Sequence, residues 1–87
     1  MTTIAQVIER YASLSEDIIA KYPQLKGWTF RWNHRLTNAM GRCVLKKGSK
    51  YIELSSRIVA LNIRIPNFID KISDTIIHEW AHALEYE

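Results

Sequence analysis

The sequence predicts an α+β domain: an N-terminal helix, a small three-stranded antiparallel sheet, a short helix and a long C-terminal helix. Three observations carry this prediction. Apolar residues recur three and four positions apart near both ends of the chain, which is the helical period. The middle alternates apolar and polar residues, which is the strand period. Two extended runs there meet at a glycine turn, the mark of a hairpin. Strands grouped between helices, rather than interleaved with them, make an α+β layout.

The first helix is expected over residues 4 to 22. Ile4, Val7, Ile8, Tyr11, Leu14, Ile18 and Ile19 form one apolar stripe, and Pro23 ends it because the residue before a proline avoids the helical conformation. Trp28 to Asn33 alternates and reads as a half-buried strand with three aromatics on its inner face. Cys43-Val44-Leu45 and Tyr51-Ile52-Glu53-Leu54 read as two strands turning at Gly48-Ser49, with lysines at the tip that discourage edge-to-edge pairing. Ser55-Ser56 caps a short helix through Leu61. Pro66-Asn67 opens the last helix, whose apolar face is Phe68, Ile69, Ile72, Ile76, Ile77, Trp80 and Leu84.

At 87 residues the chain makes one domain, 1–87, with a modest core. No apolar run is long enough to span a bilayer, so no membrane role is expected. The N-terminus, from Met1 to Gln6, has no basic region leading into an apolar one, hence no signal peptide. The single cysteine, Cys43, has no internal partner, and together these features predict an intracellular setting. Cys43 itself is expected as a small buried residue in a strand.

The net charge of +3 conceals a segregated pattern. Residues 26 to 64 hold nine basic side chains and one acid, Glu53, for a local charge of +8. Residues 1 to 25 carry −1 and residues 65 to 87 carry −4. A concentrated positive middle suits a polyanion, nucleic acid being the usual one, with Arg31, Arg35, Arg42, Lys46, Lys47 and Lys50 as candidate phosphate contacts. A merely solvated basic surface is the plain alternative.

The last helix carries His78-Glu79-Trp80-Ala81-His82, an H-E-x-x-H sequence. At about 100° per residue, the two histidines lie about 40° apart on one face and about one turn apart in height, so both imidazoles can reach one ion. His78 and His82 are therefore candidate metal ligands, with zinc the expected cofactor. Glu79 is placed to hold a water beside the ion and take its proton, as a catalytic carboxylate. Ile76, Trp80 and Leu84 back the opposite face. Asp74, one turn before His78, is expected as a surface acid, with a role in orienting that imidazole as the alternative. Glu85 lies about 10.5 Å along the axis from His78, too far to converge on the same ion. His34 reads as a surface residue or a local hydrogen-bonder. A catalytic zinc usually has three protein ligands, and the chain ends five residues after His82 in mid-helix without a glycine cap. The domain is therefore expected to be truncated, or to take its third ligand from another chain.

These residues resemble the SprT-like metallopeptidases, whose eukaryotic members include Spartan. The resemblance runs through Trp28-Thr29-Phe30-Arg31-Trp32, Ala39-Met40-Gly41-Arg42-Cys43, Tyr51-Ile52-Glu53-Leu54-Ser55 and Asp74 to Ala83. It implies a zinc-dependent protease acting on proteins at DNA, including covalent DNA–protein crosslinks, with His78 and His82 as the first two ligands and Glu79 as general base. The family's third histidine lies beyond the motif helix, where this sequence has no residue.

The leading expectation is thus a zinc endopeptidase with DNA-associated protein substrates, the strand Tyr51 to Leu54 offering its edge to an extended peptide. The alternative is a catalytically incomplete DNA- or protein-binding module on the same scaffold. The oligomeric state is not legible from the sequence.

Overall fold

The computed structural model describes residues 3–87. Met1 and Thr2, where the reading for a leader began, lie outside them. Helix α1 spans Ile4–Lys21. Thr3 caps it reciprocally with Gln6: the Thr3 hydroxyl accepts from the Gln6 N–H at 3.2 Å, and the Gln6 side chain accepts from the Thr3 N–H at 2.9 Å. Tyr22, extended before Pro23, ends it. A single 3-10 turn at Pro23–Leu25 and Gly27, with φ of 94°, swing the chain into the sheet.

The strands are β1, Thr29–Trp32; β2, Gly41–Lys46; and β3, Ser49–Leu54. Their spatial order is β1-β3-β2. Strands β2 and β3 form the expected antiparallel hairpin, with Lys46 opposite Ser49. The turn residues are Lys47-Gly48, one position earlier than expected, because Gly48 supplies the positive φ of 82° that the turn requires.

Strand β1, however, pairs parallel to β3, so the sheet is mixed and not antiparallel. Alternation marks a strand but carries no information about the direction of its neighbour. The chain leaves β1 beside Leu54, crosses the end of β3 through residues 33–40, and enters β2 opposite the same Leu54. Ser55 secures this crossing. Its N–H donates to the Met40 carbonyl at 2.8 Å, and its hydroxyl donates to the Leu36 carbonyl at 2.5 Å. Strand β3 is central and bonded on both sides, so Tyr51–Leu54 offers no edge; the edges belong to β1 and β2.

Helix α2, Ser56–Asn62, is capped by Ser55, whose hydroxyl accepts from the Ile58 N–H at 3.0 Å. Helix α3 spans Phe68–Tyr86. Asn67 precedes it in the left-handed region, φ 65°, a conformation asparagine tolerates better than most residues.

Helices α1 and α3 pack together on one side of the sheet. Phe30, Trp32, Ile52 and Leu54 meet Val7, Tyr11, Ile72, Ile76 and Trp80 in one core. Trp28 and Trp80 stack edge to face at 6.4 Å. Buried polar groups are paired. The Trp80 indole donates to the Ser15 hydroxyl at 3.0 Å, and the Tyr11 hydroxyl bonds the Ile69 carbonyl at 3.1 Å and the Ser73 hydroxyl at 2.7 Å. Ile77 departs from expectation. It is 54 % exposed, at the margin of the apolar stripe that Ile76 and Trp80 bury.

Candidate metal centre

Helix α3 runs alongside β2 and in the same direction. Thr75 faces Gly41, Glu79 lies near Cys43, and Glu87 reaches Lys50 on β3 near the hairpin tip. Four helical residues rise about 6 Å and two strand residues about 6.6 Å, so helix and strand keep pace. Gly41 sets how closely they approach. A Cβ there would sit 2.7 Å from Leu54 Cδ2 and 3.1 Å from Thr75 Cγ2. The missing side chain therefore lets the turn before His78 lie against the strand.

With Ile76, Trp80 and Ala83 buried, the other face of α3 turns outward and carries His78, Glu79 and His82. The Nε2 atoms of His78 and His82 stand 2.9 Å apart, their ring centroids 4.4 Å apart and nearly perpendicular. Two nitrogens that share one zinc ion at about 2.0–2.1 Å each lie at most about 4.2 Å apart, so this pair fits a common ion. Glu79 is half-buried between the outer face of the helix and β2. The Cys43 thiol is pushed up by burial and, secondarily, by the negative charge of Glu79. Cys43 is half-buried in β2 and faces the helix.

Glu85 reaches the other side of the pair. One carboxylate oxygen stands 3.7 Å from His82 Nδ1, beyond hydrogen-bond length, on a side chain 75 % exposed. Asp74 is an exposed acid, as its plain reading expected. Among the described residues, no group of three or more His, Cys, Asp or Glu is close enough to hold an ion. The chain thus brings two imidazoles together, with Glu79 beside His78 in the sequence of the same helix. His34 lies apart from them, 3.5 Å from the Ser56 hydroxyl.

The basic candidates divide into three sets. Arg31 and Arg42 converge on Glu53, which is fully buried. Arg31 donates Nε to Glu53 Oε2 at 2.9 Å, Arg42 donates Nε to Oε1, and Asn33 adds a bond at 3.2 Å. Burial on its own would raise the Glu53 carboxyl, but these three donors outweigh it and hold the group below the usual glutamate range. Arg31 also lies 4.2 Å from the centre of the Tyr51 ring and donates to the Tyr51 hydroxyl at 3.1 Å. Lys50 is bound to Glu87 at 2.7 Å, and Trp28 Nε1 donates to the same oxygen at 3.0 Å. The lysine draws the Glu87 carboxyl down, with Trp28 adding to the effect. Arg35, Lys46 and Lys47 are exposed. Sequence reasoning noticed Glu53 only as the lone acid of a basic stretch. Its position in an alternating strand was the signal that it faces away from the apolar core.

An α+β domain whose sheet backs an H-E-x-x-H helix, with both imidazoles turned outward, is the framework on which a two-histidine metal centre can be built. The chain belongs to the SprT-like family, whose sequence model matches residues 6–87. Membership implies a zincin-type metallopeptidase. No curated protein matches the chain, and no solved structure does. No helix among the described residues is long and apolar enough to cross a membrane.

Proposed function

We propose that this chain carries the zinc-binding helix of an endopeptidase acting on proteins bound to DNA. The observation that supports it best is the 2.9 Å approach of His78 Nε2 to His82 Nε2 on the outward face of a helix whose other face is buried. His78 and His82 would hold the ion. Zinc, when bound, supplies Lewis acidity toward a peptide carbonyl and makes a nearby water acidic. Glu79, next to His78 in the chain and turned toward β2, would take the proton from the attacking water and return it to the departing amine. Trp80, fixed by Ser15 and Trp28, holds the register of the helix turn that presents these groups.

An extended substrate pairs with β2 in this reading. It is an edge strand, it borders α3, and Cys43 within it feels the charge of Glu79. The DNA half of the proposal rests on the +8 stretch between residues 26 and 64.

The decisive experiment is Glu79→Gln in the full-length protein. Cleavage should vanish while zinc stays bound, and retained proteolysis would overturn the mechanism. A second reading is a binding module without catalysis, favoured by the exposed Arg35, Lys46 and Lys47 of the +8 stretch. Salt-sensitive DNA binding with no cleavage, in a protein that holds zinc, would favour it.

A further inference from the structure

The sheet has two unlike sides. Gly41, Cys43, Ile52, Leu54, Phe30 and Trp32 face the helices. By alternation, Arg31, Arg42, Lys46, Tyr51 and Glu53 face the other way. The pairing register puts Arg31 and Arg42 directly across from Glu53, so Arg–Glu–Arg forms one row across all three strands. Glu53 lies at the bottom of that row with no exposure, while the arginines remain 55 % and 49 % exposed at the side chain.

The carboxylate binds each arginine through Nε, the nitrogen nearest the backbone. That contact fixes the stems; Arg31 also donates Nη2 to the Tyr51 hydroxyl, and the remaining terminal nitrogens of the two half-exposed side chains are left for an anion. A guanidinium held this way loses less entropy when it takes an anion. Glu53 is the only acid between residues 26 and 64, so this side presents no exposed carboxylate of its own, and Lys46 adds a third cation on β2. The remaining acids lie on α1, on α3 and at Glu87, the last residue. The charge segregation along the sequence thus becomes a segregation between two sides of a sheet.

We propose that the outward side of the sheet, organised by the Arg31–Glu53–Arg42 row, is a docking surface for a nucleic-acid backbone, on the opposite side of the sheet from His78, Glu79 and His82. The chemistry favours nucleic acid over an anionic bilayer or an acidic protein. Planar guanidinium forks match phosphate oxygens. Tyr51 and its covering Arg31 add a flat surface of the kind on which bases stack. The large exposed apolar residues, among them Leu45, Leu61 and Ile77, are not in this row, so the surface lacks the anchors of a membrane-binding face. Glu53 acts here as a positioning residue.

The proposal rests on the DNA half of the function proposed above and is independent of peptidase chemistry. Its test is fluorescence-anisotropy titration of the metal-free chain with a labelled single-stranded oligonucleotide of about 20 nucleotides, over a range of salt. Arg42→Ala and Lys46→Ala should each weaken binding by about three- to tenfold near 50 mM salt and lower the salt slope by about 0.7. Arg57→Ala and Arg64→Ala remove the same charge away from this row and should leave both quantities within twofold. Lys46 makes no ion pair among the described residues, so its variant keeps the test meaningful if loss of Arg42 impairs folding. Equal weakening by all four variants, which a diffuse charge effect would give, overturns the surface and leaves the DNA reading standing. Absence of oligonucleotide binding at low salt, or stronger capture by phosphatidylserine vesicles, overturns the surface and the DNA reading together. Neither result bears on Glu79.

Discussion

His78 and His82 point their Nε2 atoms at each other, 2.9 Å apart, across one turn of α3. A zinc ion shared by this pair would need both Nε2 atoms free of hydrogen, so His78 and His82 would hold it together. Either His78→Ala or His82→Ala should lower zinc affinity by at least about 100-fold, more than loss of a supporting residue costs. Competition against a chromophoric chelator measures this, and an unchanged affinity in either variant would remove the pair from the metal site.

Gly41 offers a test of how the helix is placed. An alanine there puts a Cβ 2.7 Å from the fully buried Leu54 side chain and 3.1 Å from Thr75. Overpacking of this kind costs about 1–3 kcal/mol. Gly41→Ala should lower the urea midpoint accordingly, and amide shifts in a heteronuclear spectrum should concentrate along Thr75 to Glu79. A midpoint unchanged within error would show that β2 and α3 separate freely.

The Glu53 row makes stability depend on pH in a defined direction. Its carboxyl lies below the ordinary glutamate value of 4.5 in the folded state, so the unfolded chain binds the proton more readily. The contribution is complete above about pH 4.5 and is lost as pH falls through the folded value. Glu53→Gln should cost about 1–3 kcal/mol at neutral pH. The gap between the two proteins should narrow in denaturant melts taken at successively lower pH below 4.5. A gap that stays constant down to pH 2 would mean that the charge on Glu53 contributes nothing.

Tyr11 ties the first helix to the last through the Ile69 carbonyl and Ser73. Tyr11→Phe keeps the ring and removes both bonds. It should destabilise the fold by about 1–2 kcal/mol, read as a lower melting temperature with unchanged zinc affinity. A loss of zinc affinity as well would show that α1 positions the histidines, beyond holding α3 in place.

The approach of the two imidazoles was legible from local sequence. A helix has a fixed period, so His78 and His82 had to share a face wherever α3 lay, and burial of Ile76 and Trp80 decided that this face turned outward. Short-range signals also placed α1 ahead of Pro23, the cap at Ser55 and the β2–β3 hairpin. Contacts between distant segments were not legible. Nothing in Thr29–Trp32 says that its neighbour is β3 and parallel, and the edge assigned to Tyr51–Leu54 failed for that reason. The basic residues read as equal phosphate contacts proved unequal, because Arg31 and Arg42 hold Glu53 while Lys50 holds Glu87.

The sequence by itself determined the main elements, the placement of the two imidazoles on one helix face and the concentration of positive charge, since each depends on residues within a few positions of one another. Only the tertiary structure decided that β3 lies between its neighbours, that Gly41 admits the motif helix against β2, and that Glu53 is sealed beneath two arginines. Those facts depend on which strands become adjacent. Adjacency follows from how the whole chain buries its apolar surface around one core, a property that no single segment carries.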